Sequence, residues 1–571
     1  MLLFIVAWLF IGWLSLVLGV SALKALGPIL TSEKEKVKAI QLDYLILFGF
    51  TITIFLCSLI SLLSPINGWI NLIFIGVGLG LHYQNRTDIG LILKKNRKAF
   101  SAYPSMLKIV MGIVCIVALF AAFIEIGETD TWFYHSESVR WIKEFPAVPG
   151  LGNIHGRFAF NSNYFVATAF YALLFTEEYV IFPIFSFFFI VLNIRLLDNI
   201  YQSIQTNKGV AFVLSTLLII FFDFHAIDLI SSTSTDIITC VVLFYVFFLF
   251  YEAAFKDDRP FEQVILWGLV ALAVTFKLSS LLIVFLLLFT IPAAIKSRRF
   301  GVFLGVAILV GAPFIARNII ISGYLLYPFP SLDVISVDWK IPIEEVQLEK
   351  DLVEGWAKQP YGSDGIDKFE DIPKILELPF GEWMKVWLPA QSKKWLVFMV
   401  INLIGLPLLG LWTILRKEYK NVILLATIFI NLLFWFDQAP QPRFAYGFLF
   451  FGVALVLAYA SSFVLKYFHP KQLIFPILGL FIAGLVLIRP ETKFTEIKGL
   501  SLLVYPSYIT KIETETFEAQ NFTMLVPSAA PPASTYWCFN APVPCTPLPK
   551  ETVQMRGKTF RQGFRVVARN E

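Results

Sequence analysis

The chain begins with MLLFIVAWLFIGWLSLVLGV (residues 1–20), twenty residues without a charged side chain. A run of about 20 apolar residues is long enough to cross the hydrocarbon core of a bilayer as a helix. The run has no basic start and no clear small-residue cleavage site, and it contains tryptophan, so it differs from a secretory signal peptide. We predict that it is a retained first membrane span.

The composition extends this pattern to the rest of the chain. Of 571 residues, 57% are hydrophobic and 15% are charged, and the mean hydropathy is +0.73. Soluble domains carry about 25% charged residues. We therefore predict an all-α polytopic membrane protein. The fourteen candidate spans are 1–21, 41–63, 66–82, 109–126, 179–197, 209–223, 235–255, 262–276, 279–295, 301–321, 396–415, 421–436, 444–465 and 472–489.

The basic residues of the short loops predict the orientation, because lysine and arginine concentrate on the cytoplasmic side. The six basic loops are TSEKEKVKA, KKNRKAF, KDDR, KSRR, RKEYK and KYFHPK. With fourteen spans, all six fall on one side, and both termini fall on the other. We expect a multi-pass protein of the bacterial cytoplasmic membrane with extracytoplasmic termini. The short apolar segment 163–175 would break this alternation as a full span, so we expect it to lie in the interface or to re-enter the membrane.

The spans and loops divide the chain into five parts. We expect N-terminal membrane helices (1–108), a membrane core (109–321) with a first outward loop (127–178), an extracytoplasmic cap loop (322–395), C-terminal membrane helices (396–489) and an extracytoplasmic tail (490–571). The cap loop is polar, and proline and glycine interrupt it, so we predict that its helices are short. The tail contains the β-favouring stretches SLLVYPSYI and KTFRQGFRVVA and reads as a small β-rich module. If the tail is extracytoplasmic, its cysteines, Cys538 and Cys545, can form a disulfide.

The first outward loop carries a cluster of ionisable residues, in the stretch IEIGETDTWFYHSESVRW (124–141). Glu128 and Asp130 follow a hydrophobic run, and the aromatic segment 132–135, which ends at His135, is typical of a membrane interface. Burial and a like-charged neighbour raise the pKa of a carboxyl group, so one of the pair is a candidate general base. The alternative is a solvated loop that only ends the helix.

The next stretch, VPGLGNIHGRFAFNSNYF (148–165), is rich in glycine and asparagine. Such a loop can present backbone N–H groups, together with the guanidinium of Arg157, to a phosphate. His155 belongs to the same candidate site. The alternative is a series of tight turns in which backbone carbonyls satisfy His155.

Four further ionisable residues lie at the predicted outer ends of spans: Asp236, Lys277, Arg317 and Arg443. Ionisable groups at membrane depth are costly unless paired or hydrated, which favours a functional role. Asp236 also fits an ordinary helix start, where an acidic side chain is stabilising. The arginines also fit simple contacts with lipid phosphates.

The chain shows no zinc-type spacing, no GxSxG, no Walker loop and no nucleotide-binding glycine motif. An enzyme of this kind would receive its activated substrate through the lipid phase.

These motifs resemble the GT-C class of membrane glycosyltransferases. More narrowly, ETDTWFYH (128–135), the loop 148–165 and the tail motifs CFNAPVPCTP (538–547) and RGKTFRQGF (556–564) resemble an uncharacterised family of bacterial GT-C-like membrane proteins. The resemblance implies a GT-C-like fold and a polyprenyl-phosphate-linked sugar donor. The chain departs from better-known members in three extra N-terminal spans before the acidic loop, so helix numbers are not equivalent.

The resemblance implies that Asp130 is the catalytic base and that Glu128 supports it. If a divalent cation such as magnesium or manganese is used, Glu128, Asp130 and Asp236 would hold it. The residues expected to contact donor or acceptor are His135, His155, Arg157, Asp236, Lys277, Arg317 and Arg443. Arg317 is the closest match to the lipid-phosphate contacts of the class.

The expected function is transfer of a sugar to a hydroxyl of a glycan, lipid or protein acceptor on the outer face of the cytoplasmic membrane, with no nucleic-acid partner. One alternative is a ligase or polymerase that moves a glycan from a lipid diphosphate and depends less on an acidic base. The other is a transporter, for which inverted repeats and helices broken near the midplane would be typical. The chain shows no clear repeat, and its ionisable groups concentrate at one face.

Overall fold

The computed structural model describes residues 1–31, 36–123, 126–173, 179–256, 258–358, 374–465, 512–528 and 537–567. Helices dominate these residues. The first nine α-helices are α1 (Leu2–Leu30), α2 (Leu42–Ser61), α3 (Gly68–Ala102), α4 (Ser105–Phe123), α5 (Ser136–Glu144), α6 (Asn163–Tyr171), α7 (Pro183–Gln205), α8 (Gly209–Ala226) and α9 (Thr235–Ala253). The remaining nine are α10 (Pro260–Phe276), α11 (Phe285–Leu288), α12 (Ile291–Lys296), α13 (Phe300–Ser322), α14 (Ile343–Lys358), α15 (Phe380–Ala390), α16 (Lys393–Leu415), α17 (Tyr419–Gln438) and α18 (Tyr446–Leu465).

Within the described residues, ten helical segments are long and apolar enough to cross a membrane. They are Leu2–Leu30, Leu42–Ser61, Ser105–Phe123, Pro183–Gln205, Gly209–Leu229, Thr235–Ala253, Phe300–Ser322, Lys393–Leu415, Tyr419–Gln438 and Pro442–Ser461. Each corresponds to one of the fourteen predicted spans. The chain is therefore an all-α multi-pass membrane protein.

The other four predicted spans have a different form. Segment 66–82 corresponds to the apolar start of α3, a 35-residue helix whose second half is polar. Segment 262–276 lies in α10, which has only 17 residues. Segment 279–295 is broken into a 3-10 helix (Leu278–Val284) followed by α11 and α12. Segment 472–489 lies outside the described residues.

The helices range from central to peripheral. In α9, 89% of the residues in the apolar window are buried, whereas in α16 only 17% are buried. A helix that is apolar all round is stable either in the protein core or against lipid. Helix α9 lies in the core, and α16 lies at the periphery of the bundle. Helices α1 and α2 approach closely at Gly19 and Gly49, where a Cβ atom on Gly49 would overlap the backbone of Ser15. Small residues permit this close contact between membrane helices.

The short apolar segment 163–175 contains α6, a helix of nine residues. At 1.5 Å per residue it is too short to cross a bilayer. All nine residues are buried, and Asn163 accepts a hydrogen bond from Ser58 Oγ (3.0 Å) in α2. The helix is thus enclosed by protein rather than placed on a lipid-facing surface, and the placement of 163–175 in the interface or as a segment that re-enters the membrane stays a prediction.

The two predicted extramembrane regions carry their own elements. The cap loop 322–395 contains α14 and α15. The tail contains two antiparallel hairpins, which are β1 (Thr514–Glu518) with β2 (Thr523–Pro527) and β3 (Val553–Met555) with β4 (Phe564–Val566). The predicted stretch KTFRQGFRVVA includes β4, whereas SLLVYPSYI lies outside the described residues. A disulfide joins Cys538 and Cys545.

Candidate functional site

A cavity of about 240 Å³ lies where α9 begins and where α10 and α17 end. We call this end of the helix bundle the cavity face. The charged residues that line the cavity are Asp130, Arg157, Asp236, Lys277, Lys350, Glu354 and Arg443. Its aromatic residues are Tyr134, Phe160, Phe165, Phe276, Tyr327, Phe329, Phe434, Trp435 and Phe444. The cavity therefore combines charges of both signs with an apolar wall.

A local change of helix geometry presents Asp130 to this cavity. The segment Thr131–His135 is π-helical and continues directly into α5. The Ser136 N–H donates to the carbonyl of Thr131, five residues back, instead of to Trp132, four residues back. Insertions of this kind occur often at functional sites. Asp130 precedes the inserted turn, so its side chain projects from the start of the helix.

Glu128 lies behind the cavity. Its Oε2 accepts a hydrogen bond from Thr131 Oγ1 (2.5 Å) and lies 3.7 Å from His135 Nδ1. His135 Nδ1 also lies 3.1 Å from Thr233 Oγ1. Burial raises the pKa of the Glu128 carboxyl, but His135 and Thr131 together outweigh it, so the pKa lies below its usual value. Glu128 does not line the cavity, but its neighbour His135 does.

Asp130 faces the cavity with 24% of its side chain exposed, and its Oδ2 lies 2.9 Å from Arg443 Nη1. Burial raises the pKa of this carboxyl, but Arg443 lowers it, with smaller contributions from His135, Arg157 and Lys277, and the net pKa is below the usual value. The expectation of a raised pKa was therefore wrong. Arg443, which contributes most to this reversal, comes from a distant part of the chain.

Asp236 and Lys277 complete the charged group around Arg443. Asp236 Oδ1 forms an ion pair with Lys277 Nζ, and Asp236 Oδ2 lies 3.9 Å from Arg443 Nε. The Lys277 ammonium also lies 4.1 Å from the ring centroid of Phe444. Asp236 is the second residue of α9, and its carboxylate faces these cations. Asp236 therefore lines the cavity, and it also lies in the first turn of α9, where an acidic side chain stabilises the helix.

Arg157 and His155 occupy different environments. Arg157 lines the cavity, and its Nε lies 3.1 Å from Glu349 Oε2 in α14. His155 is buried beside the rings of Phe133 and Phe158, and neither ring nitrogen has a hydrogen-bond partner among the described residues. Backbone carbonyls therefore do not satisfy it. Burial lowers the pKa of His155 to about 3, so this ring is neutral.

Arg317 does not line the cavity. Its Nη1 donates to Ser61 Oγ (3.1 Å) at the end of α2, and the side chain is buried between α13 and α2. Of the nine predicted site residues, six line the cavity, namely Asp130, His135, Arg157, Asp236, Lys277 and Arg443. Glu128, His155 and Arg317 do not.

The three carboxylates proposed for a divalent cation all contact other side chains of the protein. Glu128 faces Thr131 and His135, whereas Asp130 and Asp236 both face Arg443. Across the part of the chain that the structure describes, no group of three His, Cys, Asp or Glu side chains is arranged to hold a metal ion.

Several cavity residues were not predicted from the sequence. Lys350 and Glu354 come from α14 of the cap, and Tyr327 follows α13. The sequence offers one signal for two of them: Lys350 and Glu354 are four residues apart, so they lie on the same face of an amphipathic helix. That spacing is equally typical of a solvated helix face, so it does not identify a site.

The tail packs against the back of the π-helical segment Thr131–His135. The Phe539 N–H donates to the Trp132 carbonyl (3.0 Å), which the π-helical register leaves unused by Ser136. The rings of Trp132 and Phe539 lie 3.9 Å apart between centroids. The tail thereby donates a backbone hydrogen bond to the π-helical segment.

The disulfide loop makes two further contacts with α5. The Arg140 guanidinium donates to the Asn540 carbonyl (2.5 Å), and the Cys545 N–H donates to Glu137 Oε1 (3.1 Å). Burial raises the pKa of Glu137 well above its usual value. The tail and the first outward loop therefore form one packed unit behind the cavity.

The fold and the site together define a multi-pass α-helical membrane protein with a charged cavity at one end of its helix bundle. The chain belongs to the family described as Domain of unknown function (DUF8201), which matches residues 1–450. This match spans every residue that lines the cavity. No curated protein and no solved structure matches the chain.

Proposed function

We propose that the protein is a glycosyltransferase that moves a sugar from a polyprenyl-phosphate-linked donor to an acceptor hydroxyl. The cavity face would be extracytoplasmic, at the outer surface of a bacterial cytoplasmic membrane, and the acceptor would belong to a cell-surface glycan, lipid or protein. The resemblance of the 128–135 and 148–165 motifs to GT-C-like proteins supports this function.

The observation that carries the proposal is the state of Asp130. Its carboxylate is partly exposed to the cavity, and Arg443 and neighbouring cations favour the ionised form. An ionised carboxylate within hydrogen-bond reach of a hydroxyl can act as a general base. Arg443 contacts Oδ2, so Oδ1 is the oxygen that would accept the proton.

The reaction would proceed by a single displacement. Asp130 accepts the proton of the acceptor hydroxyl while the hydroxyl oxygen attacks the anomeric carbon of the donor. The bond between that carbon and the phosphate oxygen breaks, and the phosphate leaves with the bonding electron pair. Cations in the cavity offset the negative charge of the leaving phosphate. The anomeric configuration inverts because attack and departure take place on opposite faces of the sugar.

Comparison of surface glycans tests this function. A strain without the protein should make an envelope glycan that lacks one sugar, and the wild-type chain should restore it. The missing sugar, identified by mass spectrometry, would name the donor. Identical glycans in both strains, with a solute flux in reconstituted vesicles, would contradict the proposal and favour a transporter.

A further inference from the structure

Ion pairing divides the cavity into two parts. On the side of the helix bundle, Asp130 and Asp236 neutralise Arg443 and Lys277. On the side of the cap, the cations are less fully paired. We call this second region, formed by Arg157, Tyr327 and Lys350, the cap subsite.

Two buried groups of the cap subsite lack partners. Arg157 is 7% exposed, and its Nη2 has no hydrogen-bond partner among the described residues although its Nε pairs with Glu349. Tyr327 is 2% exposed, and its hydroxyl likewise has no partner in the described part of the chain. Buried polar atoms are nearly always hydrogen-bonded, so two such groups at one cavity indicate an occupant.

Lys350 adds a charge to the same region. It lies on α14, and within the described residues it forms no ion pair. The neighbouring acids of that helix are engaged elsewhere, since Glu354 pairs with Lys358 (2.5 Å) and Glu345 pairs with Lys550 (2.6 Å). The cap subsite therefore contains the unpaired Nη2 of Arg157, an unpaired hydroxyl and an ammonium, and its one ion pair within the described residues is the contact of Arg157 Nε with Glu349.

We propose that the cap subsite binds the phosphate group of the lipid-linked donor. A phosphate offers several acceptor oxygens, which suits donors that converge from three separate elements, and a guanidinium N–H forms a strong charge-assisted hydrogen bond to such an oxygen. The cation at Lys350 adds a further attraction. The proposal rests on the proposed function for its choice of a lipid phosphate. It keeps Arg157 as a phosphate contact, as the sequence predicts, and replaces Arg317 with Tyr327 and Lys350.

The assignment places phosphate and base in separate parts of one cavity. The phosphate would lie against the cap, and the sugar would extend toward Asp130 on the bundle side. Arg443 and Lys277 would then set the charge of the two acids instead of serving as the main phosphate contacts.

Binding of farnesyl phosphate to the purified full-length chain in detergent tests the proposal without requiring turnover. Farnesol, which lacks the phosphate, is the matched ligand, and inorganic phosphate is the competitor that lacks the lipid. The variants are Lys350→Gln and Tyr327→Phe, the second of which removes one hydroxyl and keeps the ring. Lys385→Gln removes an exposed cation of the cap loop outside the cavity and is the matched control.

We expect Lys350→Gln to raise the Kd for farnesyl phosphate about tenfold, equivalent to about 1.4 kcal/mol. Tyr327→Phe should weaken binding in the same direction, and Lys385→Gln should bind like the parent. Farnesol should bind at least about tenfold more weakly than its phosphate. Inorganic phosphate should compete only weakly.

Equal affinities for farnesol and farnesyl phosphate would overturn the proposal, as would parental affinity in both Lys350→Gln and Tyr327→Phe. Competition by inorganic phosphate at the potency of farnesyl phosphate would overturn the assignment to a lipid. These outcomes are distinct from failure of the proposed function, which is judged by sugar transfer and not by binding.

Discussion

Arg443 Nη1 lies 2.9 Å from Asp130 Oδ2, so a guanidinium in the 3-10 turn Pro442–Ala445, just before α18, contacts the carboxylate that precedes the π-helical segment Thr131–His135. The same guanidinium reaches Asp236, with Nε 3.9 Å from Oδ2. One arginine therefore links two acids from different parts of the chain. Removal of this cation should change the charge state of the site more than its shape.

The pH dependence of activity should report this contact. Burial raises the pKa of Asp130, and Arg443 is the largest of the influences that lower it, with a net decrease. In the parent, the acidic limb of kcat/KM should therefore fall below the usual aspartate range near pH 4. In Arg443→Gln the cation that lowers the Asp130 pKa is gone, so burial raises this pKa and the acidic limb of kcat/KM should move to higher pH. Superimposable pH profiles of sugar transfer for the two proteins would contradict this assignment.

His155 should make stability depend on pH. Burial lowers the pKa of the folded-state ring to about 3, below the usual value near 6.5, so the unfolded chain binds a proton first as the pH falls. Stability should therefore decrease between pH 6.5 and pH 3, by about 2 kcal/mol at pH 5. The melting temperature of His155→Phe, measured from pH 7.5 to pH 5, should fall less than that of the parent. An equal fall in both proteins would show that His155 is not the group responsible.

The tail should hold the π-helical segment Thr131–His135 in place. Phe539→Ala removes a fully buried ring that packs against Trp132, and truncations of this kind cost about 3–5 kcal/mol. Amide hydrogen exchange in residues 128–136 should become faster. Leu548→Ala, at an exposed position of the same tail, is the control and should leave this exchange unchanged. Unchanged exchange in Phe539→Ala would mean that this segment keeps its geometry without the tail.

Arg317 should behave as a structural residue. Its guanidinium contacts Ser61 outside the cavity, so Arg317→Gln should lower the melting temperature and leave the Kd for farnesyl phosphate unchanged. Removal of one partner from a buried polar contact is destabilising because the other is left unsatisfied. A large increase in Kd at an unchanged melting temperature would instead restore Arg317 as a phosphate contact.

Much of the fold follows from apolar runs, and the exceptions have physical causes. Ten predicted spans correspond to membrane-length helices because long uncharged sequence has few alternatives to a helix in a bilayer. The run 279–295 is equally apolar, but a 3-10 helix and two short helices divide it. Hydropathy reports composition and not backbone geometry, so this break could not be predicted.

The site was predictable only in part, for a related reason. Loop charges indicate which helix ends share a face, and this places Asp130, Asp236, Lys277 and Arg443 together. They do not indicate how a helix is rotated, so Arg317 was assigned to the cavity although it faces α2. Arg443 lowers the pKa of Asp130 instead of leaving it raised by burial. This effect depends on a tertiary contact, which the sequence does not predict.

Sugar transfer by purified Asp130→Asn tests the central claim most directly. The assay uses the polyprenyl-phosphate-linked sugar identified from the surface glycans, with wild type and Asp437→Asn as references. Asp437 is an exposed acid at the end of α17 that does not line the cavity. General bases contribute roughly 100-fold or more to rate, so Asp130→Asn should lose about that much activity while Asp437→Asn retains it. Transfer by folded Asp130→Asn at the wild-type rate would contradict the account.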